Sequence, residues 1–239
     1  MTNDGRVAQS RASQDASARL DFQPPEPVWK QRAVARSINA ARSRAELRAQ
    51  KFIDAAFSLM DENASIEFTI QEVIDRSEQS LRGFYQCFEG KDELLLALFE
   101  ESVREALDDI RDAVEATSVP LERLHAFVLR LHEWCEPADT PRKRGQHNRR
   151  PISEFTLQLA VNHPERVADM MAPLQRFVAT LVEEAAAAGT IRTADPRRTA
   201  ALVMQTVFFS WFTNRSPAKR SRGTAEQTWE FCLHGLAGG

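Results

Sequence analysis

The 239-residue sequence has few of the residues that build β-sheets, disulfides or zinc sites. It holds one tyrosine and nine glycines. No run alternates Val, Ile or Thr with polar residues between hairpin dipeptides, which is the usual pattern of a half-buried strand. The three cysteines lie far apart without a Cys-x-x-Cys pair, which is typical of a reducing cytosol and argues against structural zinc. The sequence therefore predicts an all-α protein in the cytoplasm.

Signatures of catalysis and of membrane insertion are also missing. The chain contains no Gly-x-Ser-x-Gly, no P-loop, no Rossmann glycine pattern and no His-Glu-x-x-His. His125 and His132 lie about 10 Å apart along one predicted helix, too far to share an ion. The start lacks the apolar segment of a signal peptide, and the most apolar run, 200–212, is too short to span a bilayer. We therefore expect no enzyme, no metal or other cofactor, and no membrane insertion.

The net charge of −3 is unevenly distributed. Residues 1–28 are polar, with prolines near their end, which predicts a disordered leader. Residues 29–51 carry seven Lys or Arg against one acid, whereas residues 67–93 carry seven acids against three basic residues. The basic stretch is either an exposed charged helix or an arm that follows nucleic-acid phosphates. The acidic stretch is not a strong nonspecific binder of a polyanion by itself.

Residues 69–94 predict two short amphipathic helices joined by a turn. Apolar residues recur at helical spacing, as Ile70, Val73 and Ile74 in the first helix and Leu81, Phe84, Tyr85 and Phe88 in the second. Gln79, Arg82, Gly83 and Gln86 gather on the opposite face of the second helix. A glycine inside a helix costs roughly 1 kcal/mol, so close approach to another backbone is a natural reason for it. A helix-turn-helix, whose second helix enters the DNA major groove, fits this pattern.

The same stretch resembles the signature of the tetracycline-repressor (TetR) family of transcriptional regulators. The matching positions are Thr69, Val73, Ser80, Phe84, Tyr85, Phe88, Lys91, Glu93 and Leu94. The resemblance implies a threonine-led second helix, a recognition helix from the serine to the tyrosine, and a Lys-x-Glu-Leu opening of helix four. The chain departs from the family at Glu78, where glycine is usual. It departs again at Arg82-Gly83, where a small pair is usual, and at Cys87.

The outer face and the resemblance together predict the residues that bind DNA. Thr69 fits an N-cap, whose hydroxyl covers a free backbone amide, and in the family this threonine also meets a phosphate. Lys91 stands where the family uses a backbone amide or an ammonium group on phosphate. The predicted set is Thr69, Gln79, Ser80, Arg82, Gly83, Tyr85, Gln86 and Lys91. The implied partner is a double-stranded, pseudo-palindromic operator.

Apolar stripes predict further helices on both sides of this unit. They run from about Arg44 to Asp61, from Gly90 to about Glu115, Pro120 to Glu136, Ile152 to Asn162, Pro164 or Val167 to Ala188, from Pro196, and from Thr224 to Leu236. We therefore expect a disordered leader and basic arm in residues 1–43 and a three-helix, helix-turn-helix DNA-binding domain in 44–91. Residues 92–239 would then form a helical ligand-binding and dimerisation domain.

The helix that starts at Pro196 is apolar almost all round, and such a helix must be covered on every side. One face can meet its own core, while the other implies a partner. In the family the last two helices form the homodimer. The predicted interface is Val207, Phe208, Trp211, Phe212, Trp229 and Leu233.

Aromatic residues on several body helices either fill a plain core or line a cavity, and the residues alone favour a core. The resemblance implies a cavity, since family members bind an apolar effector between their body helices. The predicted lining is Phe127, Leu131, Trp134, Phe155, Leu159, Phe177 and Gln205. Such a lining would take a small lipophilic ligand with one or two hydrogen-bonding groups.

The sequence thus predicts a homodimeric regulator of transcription, a repressor that its effector releases from the operator. Release would follow when the effector favours a body conformation whose two heads no longer match the half-sites. The alternative is a helical protein-interaction module of the same fold that does not bind an operator. Glu78 and the acidic head favour this alternative.

Overall fold

The computed structural model of the chain describes residues 27–63, 67–135, 158–214 and 224–237. Its helices are α1 (Val28–Asn63), α2 (Ile70–Ser77), α3 (Leu81–Tyr85), α4 (Lys91–Glu115), α5 (Pro120–Cys135), α6 (Pro164–Ala187), α7 (Pro196–Asn214) and α8 (Ala225–Ala237). Residues 158–162 form a further helical segment. The described ranges contain no strand, and the predicted all-α class is confirmed.

The chain divides into two compact units, Met1–Glu46 and Leu47–Gly239. In the first unit, all the described residues are exposed and all but the first belong to α1. Helix α1 begins at Val28, well before the predicted start near Arg44. The apolar stripe used for that prediction begins only at Ala49, but α1 contains neither glycine nor proline, so helix propensity extends it. The predicted leader lies mostly outside the described residues.

Aromatic packing forms the core of the head, which comprises α2, α3 and the part of α1 from Leu47 onward. The Phe52 ring of α1 meets the Phe84 ring of α3 edge-on, with centroids 5.4 Å apart. Phe88, just beyond α3, lies 6.3 Å from Phe52 and 5.6 Å from Phe84. Val73 of α2 is fully buried in the same core. Aromatic pairs in such edge-on arrangements contribute about 0.5–1.5 kcal/mol each beyond the area that they bury.

Helix α5 is central to the body, since it packs against α4, α6, α7 and α8. Its inner face, formed by Leu124, Phe127, Val128 and Leu131, is completely buried. The longest body helices are α4 and α6, which also contact each other. None of the helices in the described ranges is long and apolar enough to cross a bilayer.

The ends of the body helices follow the local sequence signals. Helix α6 has Pro164 in its first turn, where a missing backbone N–H costs nothing, and Gly189 follows its end with φ of 70°. Helix α8 begins after Thr224. The Thr224 hydroxyl accepts from the backbone N–H of Gln227 at 3.2 Å, and the Gln227 side-chain oxygen accepts from the backbone N–H of Thr224 at 2.9 Å. This is a capping box.

Candidate nucleic-acid interface

Helix α2 starts with a reciprocal cap. The Thr69 hydroxyl accepts from the Glu72 backbone N–H at 3.2 Å, and the Glu72 carboxylate accepts from the Thr69 backbone N–H at 2.6 Å. The latter bond, together with a 2.8 Å bond from the Thr69 hydroxyl, holds the pKa of Glu72 below its usual value. The predicted N-cap at Thr69 is therefore confirmed. Because its proton already serves Glu72, the hydroxyl must exchange partners to donate to a phosphate.

The turn between α2 and α3 depends on a left-handed residue. Glu78 has φ of 55° and ψ of 32°, and its backbone N–H donates to the Ile74 carbonyl. Among the described residues it is the only non-glycine with positive φ. This is the position at which the sequence departs from the usual glycine of the family. An L-residue in this conformation costs roughly 1–2 kcal/mol, which explains why glycine suits such a turn.

Helix α3 has five residues, and few of them are buried in the core of the head. Ser80 caps its start by accepting from the Gly83 N–H at 3.0 Å. Phe84 is buried, but Leu81 and Tyr85 are 51% and 55% exposed. We predicted both of these side chains on the apolar face of the helix, and Tyr85 also in the DNA-binding set, with which its exposure is compatible. They lie outside because a single turn places only Phe84, together with Phe88 beyond it, against α1.

Gly83 is buried instead of lying on the outer face as predicted. A Cβ atom there would lie 3.2 Å from the Ser80 hydroxyl oxygen and 3.4 Å from Cδ of Arg48. Arg48, on α1, also donates from Nη1 to the Gln86 side-chain oxygen at 2.8 Å. Sequence reasoning placed Arg48 only in a basic stretch, since nothing local links residues 38 positions apart.

The remaining predicted DNA-binding residues occupy two places. Arg82 is exposed on α3 and Gln86 is exposed as its C-cap residue, and the Arg82 side chain makes no hydrogen bond or ion pair with a described residue. Gln79 lies in the turn, where its amide donates to the Glu78 carbonyl at 3.1 Å. Near the start of α2, the Lys91 ammonium lies 4.8 Å from the centre of the Phe68 ring. Of these groups, only those of Arg82 and Gln86 lie on α3 or at its end.

The predicted effector lining is packed into the body core. Phe127, Leu131, Trp134 and Leu159 are buried, and the Phe177 ring lies 5.9 Å from Phe127 in an edge-on contact. The Trp134 indole donates to Asp109 at 2.9 Å and so joins α5 to α4. Two further predicted residues differ. Gln205 is exposed on α7, and Phe155 lies outside the described residues.

The predicted dimer residues are mostly turned toward their own body. Val207 and Trp229 are buried, while Phe208 and Leu233 pack partly buried against the core. The side chains of Trp211 and Phe212 are outside the described part of the structure. Among the side chains of the last two helices that the structure describes, the exposed large apolar ones are Leu202, Phe209 and Phe231.

A surface cleft of about 330 Å³ lies between α6 and α7. Its lining consists of Ala172, Gln175, Arg176, Ala179, Arg197, Ala200 and Ala201. Alanine gives it a shallow apolar floor, and two arginines give it positive charge. Elsewhere in the described ranges, His, Cys, Asp and Glu side chains form no group of three that could hold a metal ion. Burial raises the pKa of the Cys87 thiol, which opposes thiolate chemistry just beyond α3.

These features define a helix-turn-helix protein with an all-helical body. No family model matches the chain. The HTH-type transcriptional regulator BetI of Brucella anthropi is 30% identical over 82 residues, which is 34% of this chain and 42% of that relative. The chain thus spans less than half the length of the curated relatives that it matches.

Solved structures match over more of the chain. A TetR-family regulatory protein from Rhodococcus RHA1 has a TM-score of 0.58 at 19% identity, covering 80% of this chain and 97% of its own. FadR of Bacillus subtilis in complex with stearoyl-CoA has a TM-score of 0.60 at 15% identity, covering 78% of this chain and 98% of its own. AibR in complex with isovaleryl coenzyme A and operator DNA has a TM-score of 0.52 at 19% identity, covering 79% of this chain and 97% of its own.

The fold is that of TetR-family transcriptional regulators, and the resemblance drawn from residues 69–94 is confirmed. These similar proteins are regulators of transcription, which are not enzymes.

The left-handed turn predicts that Glu78→Gly stabilises the protein. Glycine removes most of the 1–2 kcal/mol conformational cost at this position but adds about 0.5–1 kcal/mol of backbone entropy to the unfolded chain. We expect a net gain of roughly 0.5 kcal/mol in the free energy of unfolding, measured by urea denaturation. Glu100→Gly is the matched control, because Glu100 is exposed inside α4 and should cost roughly 1 kcal/mol. Equal losses in both variants would contradict strain at Glu78.

Proposed function

We propose that this chain is a cytoplasmic, sequence-specific DNA-binding regulator that represses transcription until an effector releases it. The observation that carries the proposal is α3, which is anchored through the buried Phe84 while it presents Arg82 and Gln86 outward. A helix held in this manner at the rim of a small head can enter a major groove. The sequence similarity to a helix-turn-helix regulator supports the same role.

Charge determines how such a head would bind. The acidic residues of α2 and of the first turn of α4 repel phosphates, so contacts to base edges must supply a large part of the affinity. Arg82 is the strongest candidate, because its guanidinium is exposed and has no partner among the described residues. A guanidinium can donate two parallel bonds to O6 and N7 of guanine.

Arg82→Ala therefore should weaken operator binding by about 1–3 kcal/mol for each bidentate arginine–guanine pair that it removes. It should also abolish the preference for guanine at one position in each half-site. The operator is first located by footprinting DNA upstream of the protein's own gene. Dissociation constants are then measured by fluorescence anisotropy on duplexes that vary one base pair at a time.

Arg111→Ala is the matched control for charge. Arg111 is an exposed arginine near the far end of α4, about 30 Å along the helix axis from Lys91. It should leave both affinity and base preference unchanged. If Arg82→Ala weakens every duplex equally, Arg82 contacts phosphate only. A wild-type protein that binds no duplex would favour the protein-interaction module instead.

Dimerisation is proposed to use the exposed apolar face of the last two helices. Leu202 and Phe209 are two turns apart on one face of α7, and Gln205 lies between them. Phe231 on α8 is 70% exposed, and Phe209 is 67% exposed. Large apolar side chains this exposed are typical of an interface between subunits. Two copies related by a two-fold axis would place two heads on a pseudo-palindromic operator.

Phe209→Glu should convert the dimer to a monomer in sedimentation velocity, because it would bury a charge in the proposed interface. Operator affinity should fall with it, since one head makes half the contacts. Val161→Glu is the control, because Val161 is an apolar residue that is 80% exposed on a different helical segment. A dimer that survives both Phe209→Glu and Phe231→Glu would place the interface elsewhere.

The effector is proposed to be a lipophilic molecule, with acyl-CoA thioesters as the first class to test. The body supplies buried aromatic surface at Phe127 and Phe177, and the cleft between α6 and α7 supplies Arg176 and Arg197 for anionic groups. FadR and AibR, which share the fold, are known with stearoyl-CoA and isovaleryl coenzyme A. Binding alone is not induction, because release requires that the ligand prefer the state that does not bind DNA.

An acyl-CoA of suitable chain length should both raise the melting temperature and dissociate the operator complex. At a hundred times its dissociation constant, a ligand that binds only the folded state adds about 2.7 kcal/mol of stability. Unacylated coenzyme A should do neither, because it lacks the apolar chain. The Arg82→Ala variant should still be stabilised, since the ligand occupies the body. Stabilisation without release would show that the ligand binds both states equally, and the role of inducer would then be rejected.

A further inference from the structure

Arg48 joins α1 to the outer face of α3. Its Nη1 donates to the Gln86 side-chain oxygen at 2.8 Å, and its Cδ and Nε would lie 3.4 and 3.9 Å from a Cβ at position 83. The aliphatic part of the Arg48 side chain therefore lies along α3, over Gly83, and its guanidinium reaches Gln86 at the end of the helix. Arg48 is half-buried and Gln86 is exposed, so the bond between them is at the rim of the head.

The chemistry of this bond fixes the orientation of the Gln86 amide. A guanidinium has only donors, so the atom of Gln86 that faces it must be the oxygen. The amide NH₂ then points away from Arg48 with both protons free to donate. Gln86 is therefore oriented before any DNA is bound.

We infer that Arg48 makes Gln86 contact bases chiefly as a donor, which favours guanine over adenine at the position that Gln86 reads. A glutamine binds adenine through two bonds, in which its oxygen accepts from N6 and its NH₂ donates to N7. Arg48 already donates to that oxygen and takes one of its two lone pairs, so the bond from adenine N6 is weakened. Guanine offers two acceptors, N7 and O6, which need only the donor, whereas adenine offers only N7. The inference rests on the proposed function, and it makes Arg48 a positioning residue for specificity.

Gly83 is the second part of this arrangement. A methyl group at this position would be 3.2 Å from the Ser80 hydroxyl oxygen, tighter than ordinary contact, and 3.4 Å from Cδ of Arg48, at the limit of ordinary contact. Ser80 uses that hydroxyl to cap α3, so the arginine is the neighbour free to move. Gly83 thus leaves room for the Arg48 side chain against α3, whereas the sequence predicted close approach of another backbone.

The test measures base preference in Arg48→Met, which keeps an unbranched apolar stem but has no donor. Gln86→Ala first identifies the operator position that Gln86 reads, as the one where discrimination disappears. At this position, dissociation constants are measured with all four base pairs. We expect Arg48→Met to shift the ratio of adenine affinity to guanine affinity about tenfold toward adenine, the equivalent of one hydrogen bond to a base. Gly83→Ala should shift the ratio in the same direction with the charge retained.

Two controls separate the outcomes. In the Gln86→Ala background, Arg48→Met should no longer change base preference, since coupling between the residues requires both. Amide NMR of the free protein should show the Gln86 NH₂ resonances shifted by Arg48→Met, with the melting temperature nearly unchanged. Uniform weakening on all duplexes would make Arg48 a phosphate contact and overturn the inference while the proposed function stands. Wild-type protein that binds no duplex would overturn both.

Discussion

Helix α3, the proposed recognition helix, depends on one buried ring. An isolated helix shorter than about 12 residues is marginal in water, so the five residues of α3 are not helical by propensity alone. Phe84 supplies what propensity does not, since its ring meets Phe52 at 5.4 Å and Phe88 at 5.6 Å. The orientation of α3 is therefore a tertiary property. Its outward side chains are only as well placed as the aromatic cluster beneath them.

Helix α1 contributes to α3 at two levels from one face. Arg48 and Phe52 are four residues apart, so they lie one turn apart on the same side of α1. The Phe52 ring packs against Phe84 on the buried side of α3, and the Arg48 guanidinium donates to the Gln86 side chain at the surface. Any rotation of α1 about its axis would move both contacts together. The position of the recognition helix and the chemistry it presents are thus coupled through a single helix face.

Local patterns predicted those parts of the structure that depend on local forces. Helical periodicity and end signals located α2 and the body helices, and Thr69 and Glu78 have the cap and the left-handed turn that their positions indicated. The failures are tertiary. Leu81 and Tyr85 match an apolar spacing, but a five-residue helix cannot bury them.

Gly83 and Arg48 show the same limit from the other side. The glycine indicated a close approach, but its partner comes from a different helix, and no periodicity relates residues 38 positions apart. Likewise, the apolar character of α7 predicted two covered faces without deciding which residues face the core. The structure turns Val207 inward and leaves Leu202 and Phe209 exposed. Sequence patterns therefore predicted that these contacts exist, whereas tertiary packing determines which side chains form them.

The first turn of α4 is where body and head meet. Lys91 lies 4.8 Å from the Phe68 ring, just before α2. A carboxylate oxygen of its neighbour Asp92 lies 3.7 Å from Nε2 of His163, the residue that immediately precedes α6. These adjacent residues thus face the head on one side and the body on the other. A body conformation that displaces the start of α6 would act on Asp92, and a small shift there reaches α2 through Lys91. In the proposed dimer, an effector would not need to reorganise the head to lower operator affinity, because moving this one turn in each subunit would change the separation of the two α3 helices.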